Sequence, residues 1–201
     1  MPFTVVVDRA VGYAPVEADW DTSIKDNFNS GVWVQLANST LVADAANIDL
    51  TSISGSWAHL MLMCYLRSAA VAAEDNVSLR FNNDSAANYD YQELQGRAAT
   101  ATAAEAFATN EARFATVPGS TSGSNLFAAA SICIPHYANA SNNKALVTEN
   151  STKYGTSTTN MRALTYASFW RSNAAITRIT IISDVGANLV AGCRVGLYGL
   201  P

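Results

Sequence analysis

The stretch "RFNNDSAANYDYQ", Arg80 to Gln92, sets Asn82, Asn83, Asp84, Asn88 and Asp90 within nine positions. Side-chain oxygens at this density are the donor set that a hard cation such as calcium takes. A calcium loop of EF-hand type needs acidic ligands at alternating positions, a glycine at its sharp turn and a late bidentate glutamate. Around Asp84 the alternating positions hold Ala86 and Asn88, no glycine stands at the turn, and Glu93 has no intermediate ligands before it. Asn and Asp also bond their own backbone and tolerate left-handed geometry, which is why they populate hairpin turns. The stretch reads as a turn between two strands, and no metal site is expected.

Nucleophilic chemistry has few residues to draw on. His59 and His136 are the chain's two histidines, available for every general-base role. His59 lies in an apolar, strand-like run, the setting of a hydrogen-bonded core histidine. "CIPH" separates Cys133 from His136 by three positions, which point to opposite faces of an extended chain, so a thiol–imidazole pair is not expected. No Gly-x-Ser-x-Gly elbow, glycine-rich phosphate loop or His-Glu-x-x-His motif occurs. Carboxylates paired for glycoside hydrolysis would have to meet through tertiary folding. Trp33, Trp57, Trp170, Tyr89, Tyr91 and Tyr137 are candidates for a sugar platform, although such rings more often fill a core or an interface. The expectation is of a non-enzyme, with no catalytic residue and no cofactor.

The elements that would position these residues are mostly strands. Helical spacing is clear in one place, "VEADWDTSIKDNFN", where Trp20, Ile24 and Phe28 fall at i, i+4 and i+8. Asp19 and Asp21 suit the start of such a helix, where exposed amides favour negative charge. This predicts a short amphipathic helix over about 18–28 behind an extended arm, "FTVVVD". A helix this short is marginal alone, so its stripe must be buried somewhere, either on the chain's own sandwich or on a partner. Trp20, Ile24 and Phe28 are the candidate partner-docking residues.

From Gly31 onward the chain reads as ten or so short strands separated by polar turns. "VWVQL" is followed by a turn at Asn38-Ser39, then by "STLVA" and "NIDLTSI". "WAHLMLMCYLRS" is apolar on both faces, as a central buried strand would be. "NVSLRFN" alternates, with Val77, Leu79 and Phe81 on one side and Ser78 and Arg80 on the other. The Ala- and Thr-rich segment 98–116 is pulled towards helix by its alanines and towards extended structure by its threonines, and is read as irregular or extended. "PGSTSGSN", Pro118 to Asn125, reads as a flexible turn. The organisation predicted is an arm and helix over 1–30 and one β-sandwich domain over 31–201.

Composition narrows the class. A chain of 201 residues can bury a sizeable core without disulfides or metals. The net charge of −4 and the absence of a basic patch argue against nucleic acid as a partner. The longest apolar run, Trp57 to Leu66, is too short for a membrane helix, which needs about 20 residues. "MPFTVVVDRAVGY" lacks a signal peptide's basic and apolar regions. Cys64, Cys133 and Cys193 lie far apart in apolar settings and read as buried free thiols. Only 14% of residues are charged, a surface suited to packing against other copies or another protein.

Three phrases together resemble virion proteins of tailed bacteriophages. "EADWDTSIKDNFNS" resembles their N-terminal phrase through Trp20, Asp21, Lys25, Asp26 and Asn27. "LRFNNDSAANYDYQEL" resembles the "RFNGD…NY" hairpin of their β-sandwich modules, with Asn83 where glycine is usual. "ICIPHYANASNNKAL" and "AITRITIISDVGANLVAGCRVGLYGL" resemble the closing part, with Cys193 where serine is usual. The resemblance runs over about residues 15–201, excepting the Ala-rich middle. It implies a jelly-roll-like antiparallel β-sandwich on the outer surface of a phage particle, as a capsid decoration, head-fibre or tail-associated subunit. It also implies partners: other copies of the chain, typically as a homotrimer, and another virion protein. The alternative is a receptor-binding module of a phage tail, holding host glycan through loops and aromatics. A glycan hydrolase is a third, weaker reading.

Overall fold

Alternating apolar and polar residues over runs of seven to ten positions give strands with one buried face, and this pattern recurs along the chain. The computed structural model describes residues 33–157 and 160–201. The predicted arm and helix, with Trp20, Ile24 and Phe28, lie outside the described residues. Those described form β1 (Val34–Thr40), β2 (Asn47–Leu50), β3 (His59–Leu66), β4 (Glu74–Phe81), β5 (Tyr89–Arg97) and β6 (Thr100–Thr109). Then come β7 (Ala112–Pro118), β8 (Ala128–Pro135), β9 (Lys144–Lys153), β10 (Met161–Trp170), β11 (Ile179–Ser183) and β12 (Arg194–Leu200).

Two antiparallel sheets result. The larger has the order β1-β12-β3-β8-β9-β10-β5-β6, and the smaller β2-β11-β4-β7. Setting aside β5, β6, β9 and β10, the other eight strands pair first with last and so inward: β1 with β12, β2 with β11, β3 with β8, β4 with β7. That nesting is one long hairpin rolled over on itself, the jelly roll. The hairpins β5–β6 and β9–β10 are insertions that extend the larger sheet beyond β8. The chain is therefore an all-β, jelly-roll-like sandwich among its described residues.

The core lies between the sheets. Leu60, Leu62 and Leu66 of β3, Ile132 and Ile134 of β8, and Val195 and Leu197 of β12 face Ile48, Leu50, Val77, Leu79, Phe81, Ile179 and Ile181 of the smaller sheet. Each such side chain contributes roughly 1.5–3 kcal/mol on burial. Under β7 the interior turns polar: Arg113 pairs with Asp184 at 2.7 Å, Arg162 with Glu74 at 2.8 Å, and Asn150 accepts from the Thr116 amide at 2.9 Å.

Three local expectations change and one open reading is settled. Asn38 and Ser39 are not a turn but lie within β1, opposite Gly196 and Val195, because ladder hydrogen bonds to β12 outweigh the local turn preference of Asn and Ser. "STLVA" accordingly makes no second strand, since β1 ends at Thr40. Segment 98–116, read as irregular or extended, is largely extended as β6 and β7, where cross-strand pairing overrides the helix propensity of alanine. The loop Pro118–Asn125 is pinned: the buried Arg67 guanidinium donates to the carbonyls of Gly119, Ser122, Gly123 and Leu126.

Candidate functional site

The Asn/Asp stretch folds as a tight turn after β4. Asn82 and Asn83 both take left-handed backbone, with φ of 51° and 60°, and the Asp84 amide donates to the Phe81 carbonyl at 2.8 Å. Positive φ at both central residues is the type I′ pattern. Asn82 Oδ1 then accepts from the Thr177 and Arg178 amides, tying the turn to the segment before β11. Asp84 accepts from the Ala86 amide, Asn88 Nδ2 and Trp170 Nε1. Burial works to raise its pKa, but these hydrogen bonds together hold it below the usual carboxylate value. Its oxygens are occupied by the chain's own donors. Among the described residues no group of three or more His, Cys, Asp or Glu side chains is placed to hold a metal ion.

The two histidines, far apart in sequence, meet at one end of the β3–β8 pair. Their ring centroids are 4.8 Å apart, and the His136 amide donates to His59 Nδ1 at 3.2 Å. His59 is half-buried at the start of β3 rather than in the core. No hydrogen bond links Cys133 to either ring. All three cysteines are free, with Cys64 and Cys193 buried and Cys133 half-buried. Burial, with Cys193 nearby, pushes the Cys64 thiol up to about 12, so it stays protonated at neutral pH. Of the six aromatic candidates, Trp170, Tyr89 and Tyr137 are core, Trp57 and Tyr91 are half-buried, and only Trp33 is exposed. The structure does not bring these rings together as a platform.

What it does assemble is a face that the sequence reading missed. β3 buries Leu60, Leu62, Cys64 and Leu66 inward, but its other side, His59, Met61, Met63 and Tyr65, points out of the sandwich, and Met63 and Tyr65 are 47% and 45% exposed. The register carries this outer side across the larger sheet in rows. One row runs Arg194, Tyr65, Ala129, Ser151, Ala163, Gly96, and the next Gly196, Met63, Ser131, Glu149, Thr165, Leu94. A third runs Tyr198, Met61, Cys133, Val147, Ala167, Gln92.

Small side chains on β8, β9 and β10 make the floor of a mostly apolar trough of about 690 Å³, flanked by Met63, Tyr65 and Arg194 on one side and Leu94 on the other. Leu94, Val147 and Met161 are each more than half exposed on the same sheet. Glu149 and Arg194 are its charged members, both exposed, and neither side chain makes a hydrogen bond or ion pair among the described residues. A contiguous exposed apolar surface of this kind is a candidate contact surface. Its sequence signal was the run of small residues in "AAAS" and their alternation with larger ones in "RALTYAS", beside a strand apolar on both sides. No family model matches the chain, and no characterised protein or solved structure matches it either.

Proposed function

We propose that this chain is a structural protein on the exterior of a tailed-bacteriophage particle, as a capsid decoration, head-fibre or tail-associated subunit acting through protein–protein contacts. The observation that carries the contact part of this reading is the outer face of the larger sheet: apolar, floored by small side chains and presented by a closed jelly-roll framework. A sheet presenting one open face suits repeated contacts in a symmetric assembly. The phage part rests on the three sequence phrases. Of these, the hairpin phrase forms the type I′ turn that both its asparagines and the usual glycine can adopt. Half of the aromatic residues that would favour glycan binding are in the core and only Trp33 is exposed, so that alternative gains no support from their placement.

Immunogold labelling of particles from the source lysate, with an antibody raised to this chain, tests the reading. Dense label over the head is expected for a decoration or head-fibre subunit, and label confined to the tail for a tail-associated one. Particles free of label would overturn it.

A further inference from the structure

We propose that the outer face of the larger sheet docks a second copy of this chain, the two packing face to face about a twofold axis that runs along the strands between β3 and β8. This deepens the reading of that face as a protein contact surface and names its partner.

The first argument is shape. The face is divided along the β3–β8 line. On one side stand Met63 and Tyr65 of β3 with Arg194 of β12. Level with them on the other lie Ala129 and Ser131 of β8, then Ser151 of β9 and Ala163 of β10, while the larger exposed Val147 and Met161 stand at the two ends of this stretch. A twofold axis along the strands exchanges β3 with β8 and β12 with β9. Met63 is level with Ser131, and Tyr65 with Ala129. The exchange therefore sets Met63 of one copy over Ser131 of the other, and Tyr65 over Ala129, each tall side chain entering the space above a small one. Self-complementarity of this sort is what an isologous interface requires. Strand directions within about 30° of each other, the usual sheet-on-sheet angle, preserve these matches.

The second argument is charge. The same axis carries Arg194 of each copy over β9 of the other, where it faces Ser151, one two-residue step from Glu149. That step is about 7 Å along a strand, within the span of an arginine side chain. Arg194 and Glu149, the charged residues lining the trough, thus find each other twice, once on each side of the axis, with the exposed Lys153 one equal step beyond Ser151 in the opposite direction. The third argument is area. The overlap from β1 to β10 is five inter-strand steps wide, about 24 Å, and seven residues tall, about 23 Å. That is on the order of 550 Å² per copy and 1,100 Å² in total, above the roughly 1,000 Å² expected of a specific interface.

Sedimentation equilibrium of the full chain from about 1 to 100 μM covers the affinities such an interface reaches. The expected species has twice the 21.3 kDa chain mass. Arg194→Glu and Glu149→Arg should each weaken the dimer about tenfold or more by setting like charges together, and the double variant should restore it. Both positions are exposed, and circular dichroism of each variant checks that the sandwich is intact. A monomer throughout the range, a trimer, or a dimer indifferent to both charge reversals would overturn the proposal. The two readings fail separately: a monomer that still labels particles removes the twofold contact alone, and a charge-sensitive dimer that labels none removes the phage reading alone.

Discussion

Asp84 shows how one side chain closes off a chemical possibility and stabilises the fold by the same contacts. Its two oxygens gather donors from Ala86, Asn88 and the buried Trp170, whose Nε1 lies 2.8 Å away. Replacing it with alanine leaves the indole N–H buried without a partner, and Asp84→Ala should cost about 2 kcal/mol in urea unfolding at neutral pH. A cost near zero would mean that the carboxylate is not holding the turn. Its folded pKa lies below its unfolded value, which is about 3.9. The stability it contributes is fully present above that unfolded value and is lost as pH falls through the folded one. Asp49 has the same sign: burial raises its pKa, but Arg178 and Thr180 together bring it down. The thermal midpoint should therefore fall as pH drops below about 4, and Asp84→Asn, which has no carboxyl to protonate there, should show a shallower fall.

At the scale of elements, the turn after β4 depends on backbone that few residues adopt. Asn83 sits at φ 60° on the surface, next to Asn82 at φ 51°. Asn83→Gly should be neutral or stabilising by up to about 1 kcal/mol, since glycine enters this region freely. Asn83→Val should lower stability by about 1–2 kcal/mol in thermal unfolding, because a β-branched side chain clashes in left-handed backbone. Equal stability of the two variants would sink the type I′ assignment. The closing strand shows a second local constraint. The Trp57 ring lies so close over Gly199 that an added Cβ would stand 2.4 Å from its Cγ and Cδ2. The glycine of "LYGL" is thus a seat for an indole rather than a turn.

At the scale of the whole molecule, nested pairing makes the fold a set of long-range closures. Thr40 must meet Arg194, Asn47 must meet Ile182, and His59 must meet Pro135, before the sandwich can bury its core. Loop closure then precedes most of the stabilising contact, and refolding from urea should be slow, on the order of milliseconds to seconds or longer. Stopped-flow tryptophan fluorescence measures it through the buried Trp170. Complete refolding in tens of microseconds would contradict a topology built from such distant pairs.

Much of the strand content was legible in the residues, because period-two alternation as in Val77, Leu79 and Phe81 is a local property that burial reads directly. So was the turn at Asn82-Asn83, because only a few residue types accept its backbone. The residues 98–116 were ambiguous because alanine's helix propensity competes with pairing partners that lie elsewhere in the chain. Asn38 and Ser39 misled for the same reason, since their partners on β12 are remote. The outer face of β3 was not legible either. "HLMLMCYL" is apolar at nearly every position, and a strand covered on both sides reads the same as one whose outer side is left open for docking. The sequence by itself determined most of the strands, those with clear period-two alternation, because that pattern rests on neighbours in the chain. Only the tertiary structure decided which faces are covered, that His59 meets His136, and that Arg194 and Glu149 line one trough, because those follow from sheet order and register between distant strands.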